Sequence, residues 1–286
     1  MTSARRGDVG MSGLGPVPAM KPSRVSGLLH AVHQSEKSRN GRRTGTAGSA
    51  TAKALAPGAD LPDGHQMTDV IFFDLDGTLV DHRSAVMETI GRVVRDAPGA
   101  TAPGEELVAL RWALEARHMR EYLAGECSFA EHHRRRVRSF LPALGEPVPG
   151  TPELLDAWAA ERHLGPFAGS WQCYPDVLPC LDALRRLPRG PRPAVLTNGD
   201  PGQQCAKGAR FGLLEHFEAV LTPTELGTAK PAAYAAACRL MGTDPTRAVN
   251  VGEMLESDVH AADRAGIWLD RYSGPRPHRP PRAADR

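Results

Sequence analysis

Aromatic residues make up only 5% of this 286-residue chain. No run of about 18 consecutive apolar residues occurs, so the sequence offers no membrane-spanning helix. Cysteine is sparse and badly placed for cross-linking. Cys127, Cys173, Cys180, Cys205 and Cys238 are odd in number, widely spaced and without a C-x-x-C pair. That argues against a disulfide framework and a cysteine zinc site, and a reducing, cytoplasmic setting is expected. A strong charge imbalance is also missing, with 35 basic and 33 acidic residues and a formal net charge of +2. Residues 1–66 hold nine of the basic and four of the acidic residues, which leaves 26 and 29, or about −3, for the remainder. A body of that charge is not built to bind nucleic acid. Neither nucleic acid nor a membrane is an expected partner.

Hydrophobic residues make up 41% of the chain, enough for a sizeable core. They are unevenly spread. Residues 1–66 are rich in Gly, Ser, Ala, Pro and Arg and lack apolar periodicity, which reads as a disordered leader. Two other readings of this stretch exist. It is Arg- and Ser-rich and acid-poor, as transit peptides are, and Met67 stands where translation of a leaderless protein would begin. The Pro- and Arg-rich residues 273–286 read as a disordered tail.

Between these ends the pattern is orderly. Val70–Phe73 is a short apolar, β-rich run that reads as a buried strand. Helical patterns then follow one another at 84–96, 105–123, 128–141 and 152–163, with no strand between them. Residues 164–174, broken by Gly165, Pro166 and Gly169, read as a linker. Beyond them strands and helices alternate. Strands are expected at 193–199, 217–222, 247–253 and 267–270. Helices are expected around Val177–Leu184 and at 201–211, 231–242 and 257–266. Alternation of this kind implies a Rossmann-like, doubly wound parallel sheet of the α/β class, here with an inserted all-helical domain after its first strand.

The polar residues gather where those strands end, which is where open α/β sheets bind ligands. The first strand runs into Asp74-Leu75-Asp76-Gly77-Thr78, and a later one into Thr197-Asn198-Gly199. Lys230 precedes Pro231, and Glu253 and Asp258 follow another strand end. A carboxylate can act as a nucleophile and form an acyl phosphate. A second acid two residues on lies on the same side of an extended chain, placed for acid–base work. Hard cations such as Mg²⁺ take oxygen ligands. A hydroxyl, an amide and an ammonium can hold phosphoryl oxygens.

In this order DLDGT, TNG, a Lys-Pro pair and GExxxxD resemble the four motifs of the haloacid dehalogenase (HAD) superfamily. The resemblance spans about residues 70–270. It is nearest, through TNG followed by glutamines, LGxxKP and VGxxLExDV, to the N-acylneuraminate-9-phosphatase and pyrimidine 5'-nucleotidase branch. It implies an α/β core at 67–82 and 171–272, with 83–170 as a helical cap. It also implies a Mg²⁺-dependent phosphatase acting on a small phosphorylated metabolite. Asp74 would be the nucleophile and Asp76 the acid and base, the residue that separates phosphoryl transfer from dehalogenation. Thr197, Asn198 and Lys230 would hold the phosphoryl group. Mg²⁺ would be bound by Asp74, the Asp76 carbonyl, Glu253 and Asp258. Alternatives are a phosphomutase of the same superfamily, or a weakened binding protein.

The chain departs from the family pattern twice. Glu253 stands where Asp is usual, and the segment after Gly266 is about three residues short, so a displaced last strand is expected. Asp81, the third acid of the first motif region, reads as the start of the passage into the cap. In the cap, HHRRRVR (132–138) reads as a solvated helix face with Phe129, Val137, Phe140 and Leu141 inward; the competing reading is an arm that recruits an acidic or phosphorylated substrate. His118 and His163 read as surface or packing residues.

Overall fold

The computed structural model describes residues 68–269. The expectations for 1–66, Met67 and 273–286 lie outside the described residues. Five strands form one sheet in the order β3-β2-β1-β4-β5, every pair parallel. They are β1 (Val70–Phe73), β2 (Arg192–Leu196), β3 (Ala219–Leu221), β4 (Ala248–Val251) and β5 (Trp268–Leu269). Strand β1 is central, and all four of its residues are fully buried. Its alternation divides the core. Ile71 and Phe73 pack with Val177, Leu181, Leu184 and the inserted helices. Val70 and Phe72 pack with Ala194, Leu196, Tyr234 and Ala261 on the other face. Burying one such side chain contributes about 1.5–3 kcal/mol. A strand covered on both sides therefore has to read as a continuous apolar run.

Between β1 and β2 the chain is wholly helical. It forms α1 (His82–Arg95), α2 (Gly104–Leu123), α3 (Phe129–Phe140), α4 (Pro152–Ala159), α5 (Gly165–Gly169) and α6 (Val177–Arg185). The expected linker at 164–174 is shorter than its composition suggests. A π-helical turn, Ala160–Leu164, carries α4 into α5, and the Gly165 amide bonds the Ala160 carbonyl. Pro166 sits in the first turn of α5, where a missing N–H costs nothing. The chain leaves and re-enters the sheet layer through paired segments. The Asp81 amide donates to the Gln172 carbonyl at 2.8 Å and the Tyr174 amide to that of Leu79 at 3.1 Å. Asp81 does begin the passage into the helices, as the N-cap of α1, accepting from the Ser84 amide at 2.9 Å.

The second half winds the sheet from both sides. It contains α7 (Pro201–Arg210), the short α8 (Pro223–Leu226), α9 (Ala233–Leu240) and α10 (Ala261–Arg264), the last entered through a π-helical turn at Leu255–His260. The shortened segment after Gly266 still delivers β5 to the sheet, where Val249 pairs with Trp268 and Asn250 with Leu269. Register is what builds the site. Phe73 lies level with both Val195 and Val251. Asp74, Thr197 and Glu253 therefore emerge at the same sheet edge, where the strand order reverses beside β1.

Candidate active site

Asp74 follows β1 directly, and only 6% of it is exposed. Its Oδ1 lies 2.8 Å from Lys230 Nζ, and the Thr78 hydroxyl donates to its Oδ2 at 3.4 Å. Lys230 is 3% exposed and its ammonium also reaches Asp258 Oδ1, at 2.6 Å. A buried ammonium thus bridges two buried carboxylates that are distant in sequence. Burial pushes the Asp74 carboxyl up to about 7; Asp258 and Asp76 add to the rise, and Lys230 opposes it. For Lys230 burial works to lower the pKa, and Asp74 and Asp258 outweigh it, so the ammonium stays charged.

Asp258 also has a structural duty, because its Oδ2 accepts from the Met254 amide at 2.9 Å. One oxygen braces the turn and the other faces the lysine. Glycines make room for these acids. Gly77 has φ +87°, and a Cβ there would stand 1.9 Å from Glu253 Oε1. A Cβ on Gly252 would meet that of Asp258 at 2.6 Å.

Asn198 sets the position of Lys230. Its Oδ1 accepts from the Lys230 amide at 2.8 Å, and its Nδ2 donates to the Lys230 carbonyl at 3.5 Å. Thr197 Oγ1 accepts from the Gly199 amide at 3.2 Å and from Gln204 Nε2 at 2.8 Å. Gln204 Nε2 also lies 2.9 Å from Asp76 Oδ2. The seven residues singled out in the sequence (Asp74, Asp76, Thr197, Asn198, Lys230, Glu253 and Asp258) thus meet at one strand-end edge.

Asp76 brings in residues that the sequence reading passed over. Lys207, on α7, is fully buried, and its ammonium lies 2.6 and 2.8 Å from the two oxygens of Asp76. It also stands 5.5 Å from the ring centroids of Phe167 and Trp171. Burial works to raise the Asp76 pKa, but Lys207 and His82 outweigh it and hold the carboxyl far below the ordinary range. The available signal was spacing: Gln204 and Lys207, three apart on one helix, follow TNG directly.

The basic run of α3 needs a correction. It is not a uniformly solvated face, because His132 is fully buried and Arg136 only 3% exposed, while Arg138 is outward. Phe129, His132, Arg136 and Phe140 recur at helical spacing, so the inward stripe carries two polar residues. Arg136 and Arg111 both donate to Glu115, Arg111 at 2.5 Å. His163 packs into the same cluster, its Nε2 3.2 Å from Arg111. His118 is a packing residue as expected, with its ring between Glu121 and Ser139.

Among the described residues no three His, Cys, Asp or Glu side chains stand together as a metal cluster. The donor chemistry nevertheless suits a hard cation. Asp74 and Asp258 supply carboxylate oxygens on either side of one ammonium, and Glu253 supplies another beside Gly77. None of the helices among the described residues is long and apolar enough to cross a membrane.

The chain is similar to several known proteins. The chain is 31% identical to a phosphoserine phosphatase of Thermus thermophilus, over 76% of this chain and 93% of that one. It is 29% identical to a glyceraldehyde 3-phosphate phosphatase of Methanopyrus kandleri, over 70% and 82%. Human N-acylneuraminate-9-phosphatase matches over a shorter stretch, 32% identical across 33% of this chain and 43% of that one. In fold the chain is similar to a putative HAD-hydrolase of Bacillus subtilis described as bound to magnesium. Its TM-score is 0.60 at 17% identity, covering 71% of this chain and 88% of that one. A family model for the haloacid dehalogenase-like hydrolases matches residues 68–266, and with its buried Asp74–Lys230–Asp258 bridge at the end of the central strand, the chain belongs to that family.

Proposed function

We propose that the chain is a Mg²⁺-dependent phosphatase that hydrolyses a small phosphorylated metabolite through an aspartyl-phosphate intermediate. The observation that carries this reading is the ammonium of Lys230 lying between Asp74 and Asp258, with Thr78 bonded to Asp74 and Asn198 to the lysine backbone. The relatives named as phosphatases of small phosphorylated metabolites support it. Residues 83–170 serve as the cap over a core of 67–82 and 171–272, closing on the substrate and excluding water.

Asp74 Oδ attacks phosphorus, and the bond from phosphorus to the leaving oxygen breaks. Asp76 gives that oxygen a proton. In the second step Asp76 takes a proton from water, the hydroxyl attacks phosphorus, and phosphate leaves as the Asp74 carboxylate reforms. The hold of Lys207 on Asp76 favours the carboxylate form, the one needed in the second step; in the first step the negative phosphoryl group beside Asp76 raises its pKa and lets it carry the proton it gives up. Lys230 offsets the charge gathering on the phosphoryl oxygens, Thr197 presents a hydroxyl, and Asn198 keeps the lysine in place. Mg²⁺ would be held by Asp74, the Asp76 carbonyl, Glu253 and Asp258, and would screen the phosphoryl charge.

The test is hydrolysis of a generic aryl phosphate by the purified protein. Activity should need Mg²⁺, and Asp74→Asn should lower it at least a thousandfold. Full activity in that variant, or with the metal chelated, refutes the mechanism. A second reading is a weakened binding protein, favoured by Glu253 standing where the family usually has Asp. Under it, Glu253→Asp should raise Mg²⁺ affinity and turnover sharply; under the first reading it changes both little.

A further inference from the structure

A cavity of about 50 Å³ lies between the helical insertion and Asp76. On the sheet side it is lined by Asp76, Gly199 and Gln203, and on the helical side by Arg111, Glu115 and Arg136. Neither Asp74 nor Lys230 lines it. Four imidazoles, those of His82, His132, His133 and His163, also line it, with apolar side chains such as Met119 and Phe167 between them.

The charges of the helical wall do not balance. Arg111 and Arg136, each 3% exposed, share the single carboxylate of Glu115. Arg136 Nη2 lies 2.6 Å from His133 Nδ1, and Arg111 Nη2 is 3.2 Å from His163 Nε2. Those imidazoles supply no negative charge. Burial together with the arginines keeps them neutral, with His132 lowered to about 4 and His133 to about 2. Asp76 cannot serve as the missing anion, because Lys207 takes both of its oxygens. One positive charge is therefore left over at the wall of the cavity, where the burial of both arginines makes an uncompensated charge costly. A second polar group there also lacks a partner. His132 Nδ1 lies 2.5 Å from the Phe129 carbonyl and donates to it, while the buried Nε2, an acceptor in that neutral ring, has none and suits a hydroxyl of the ligand rather than its anionic group.

We infer that Arg111 and Arg136 form a subsite for a second anionic group on the substrate, a carboxylate or a further phosphate, on the leaving-group side of the scissile bond. This rests on the phosphatase reading. If Asp76 protonates the leaving oxygen, the organic part of the substrate lies next to Asp76, and this cavity is the space there. Guanidinium forks match such oxyanions in a two-point contact. Glu115 aligns both arginines and leaves their surplus charge for the ligand. The preferred substrate therefore carries two acidic groups rather than one.

The experiment compares matched pairs. 3-Phosphoglycerate and glycerol 3-phosphate differ in the carboxylate; fructose 1,6-bisphosphate and fructose 6-phosphate differ in the second phosphate. The expected result is a kcat/KM at least tenfold higher for the diacid of one pair, and the pair that shows it names the anion. Arg136→Gln and Arg111→Gln should each narrow that ratio several-fold. Glu115→Gln, which keeps both arginines and adds to the surplus, should hold or widen it. That variant decides the matter if the arginine variants fail to fold. Ratios near one in both pairs, or a ratio unchanged by either arginine substitution, overturn the inference. Calorimetric binding of the same four compounds to the metal-free protein separates the two layers. Absence of all phosphate release would refute the phosphatase reading, while tighter binding of the diacid, lost in Arg136→Gln, would still establish the subsite.

Discussion

Lys207→Met isolates the contact that holds Asp76. The lysine is fully buried, its ammonium bonds both Asp76 oxygens at 2.6 and 2.8 Å, and the Asp76 side chain is 25% exposed. Methionine keeps the apolar stem beside Phe167 and Trp171 and removes only the charge. Deleting one member of a buried ion pair costs about 3–5 kcal/mol. Asp76 retains Gln204 at 2.9 Å and some solvent, so the low end, about 3 kcal/mol, is expected. Urea unfolding at neutral pH measures it, with an unchanged slope and a lower midpoint. Asp76→Asn should also destabilise, by stranding the lysine, and the double variant should lose at least about 2 kcal/mol less than the sum.

The pH dependence follows from the depressed Asp76 pKa, where burial works upward but Lys207 and His82 prevail. A depressed carboxyl contributes stability above its unfolded pKa of about 3.9, and that contribution is lost as pH falls below it. The gap between parent and Lys207→Met should be full at neutral pH, begin to narrow below about pH 4, and close only as pH falls through the far lower folded pKa of Asp76. A cost under about 1 kcal/mol, an additive cycle, or a gap unchanged at pH 3 would refute the reasoning.

Gly77→Ala should destabilise by about 1–3 kcal/mol, because φ is +87° there and the new Cβ would stand 1.9 Å from Glu253 Oε1. Thermal unfolding checks this. Adding Glu253→Ala should return the steric share and leave the backbone share. Asn198→Ala removes both hydrogen bonds that seat the Lys230 backbone, a loss of about 1–2 kcal/mol in urea unfolding. It should also lower kcat for aryl phosphate more than it raises KM, since Lys230 would be misplaced rather than lost.

Much of this molecule was legible in the chain itself. Covering β1 on both faces demands four apolar residues in a row, so VIFF announced a central strand. Alternating strand and helix patterns announced the parallel sheet, and the acids and amides at strand ends announced the site, because register brings those ends level. What periodicity could not supply was the side of the inserted helices. In α3 the inward stripe is half apolar and half polar, and a solvated stripe has the same residue types. Only packing against α2 shows that Arg136 is buried with Arg111 and Glu115 while Arg138 is not. Lys207 was hidden for the same reason, since a lysine on a helix reads as solvated until an acid 131 positions away meets it. Local sequence thus determined which segments become strands and helices, because backbone geometry and burial impose short periods. Tertiary structure alone decided which charges pair and which are left over, since a buried charge is balanced by whatever the fold carries to it, and that distance is not written along the chain.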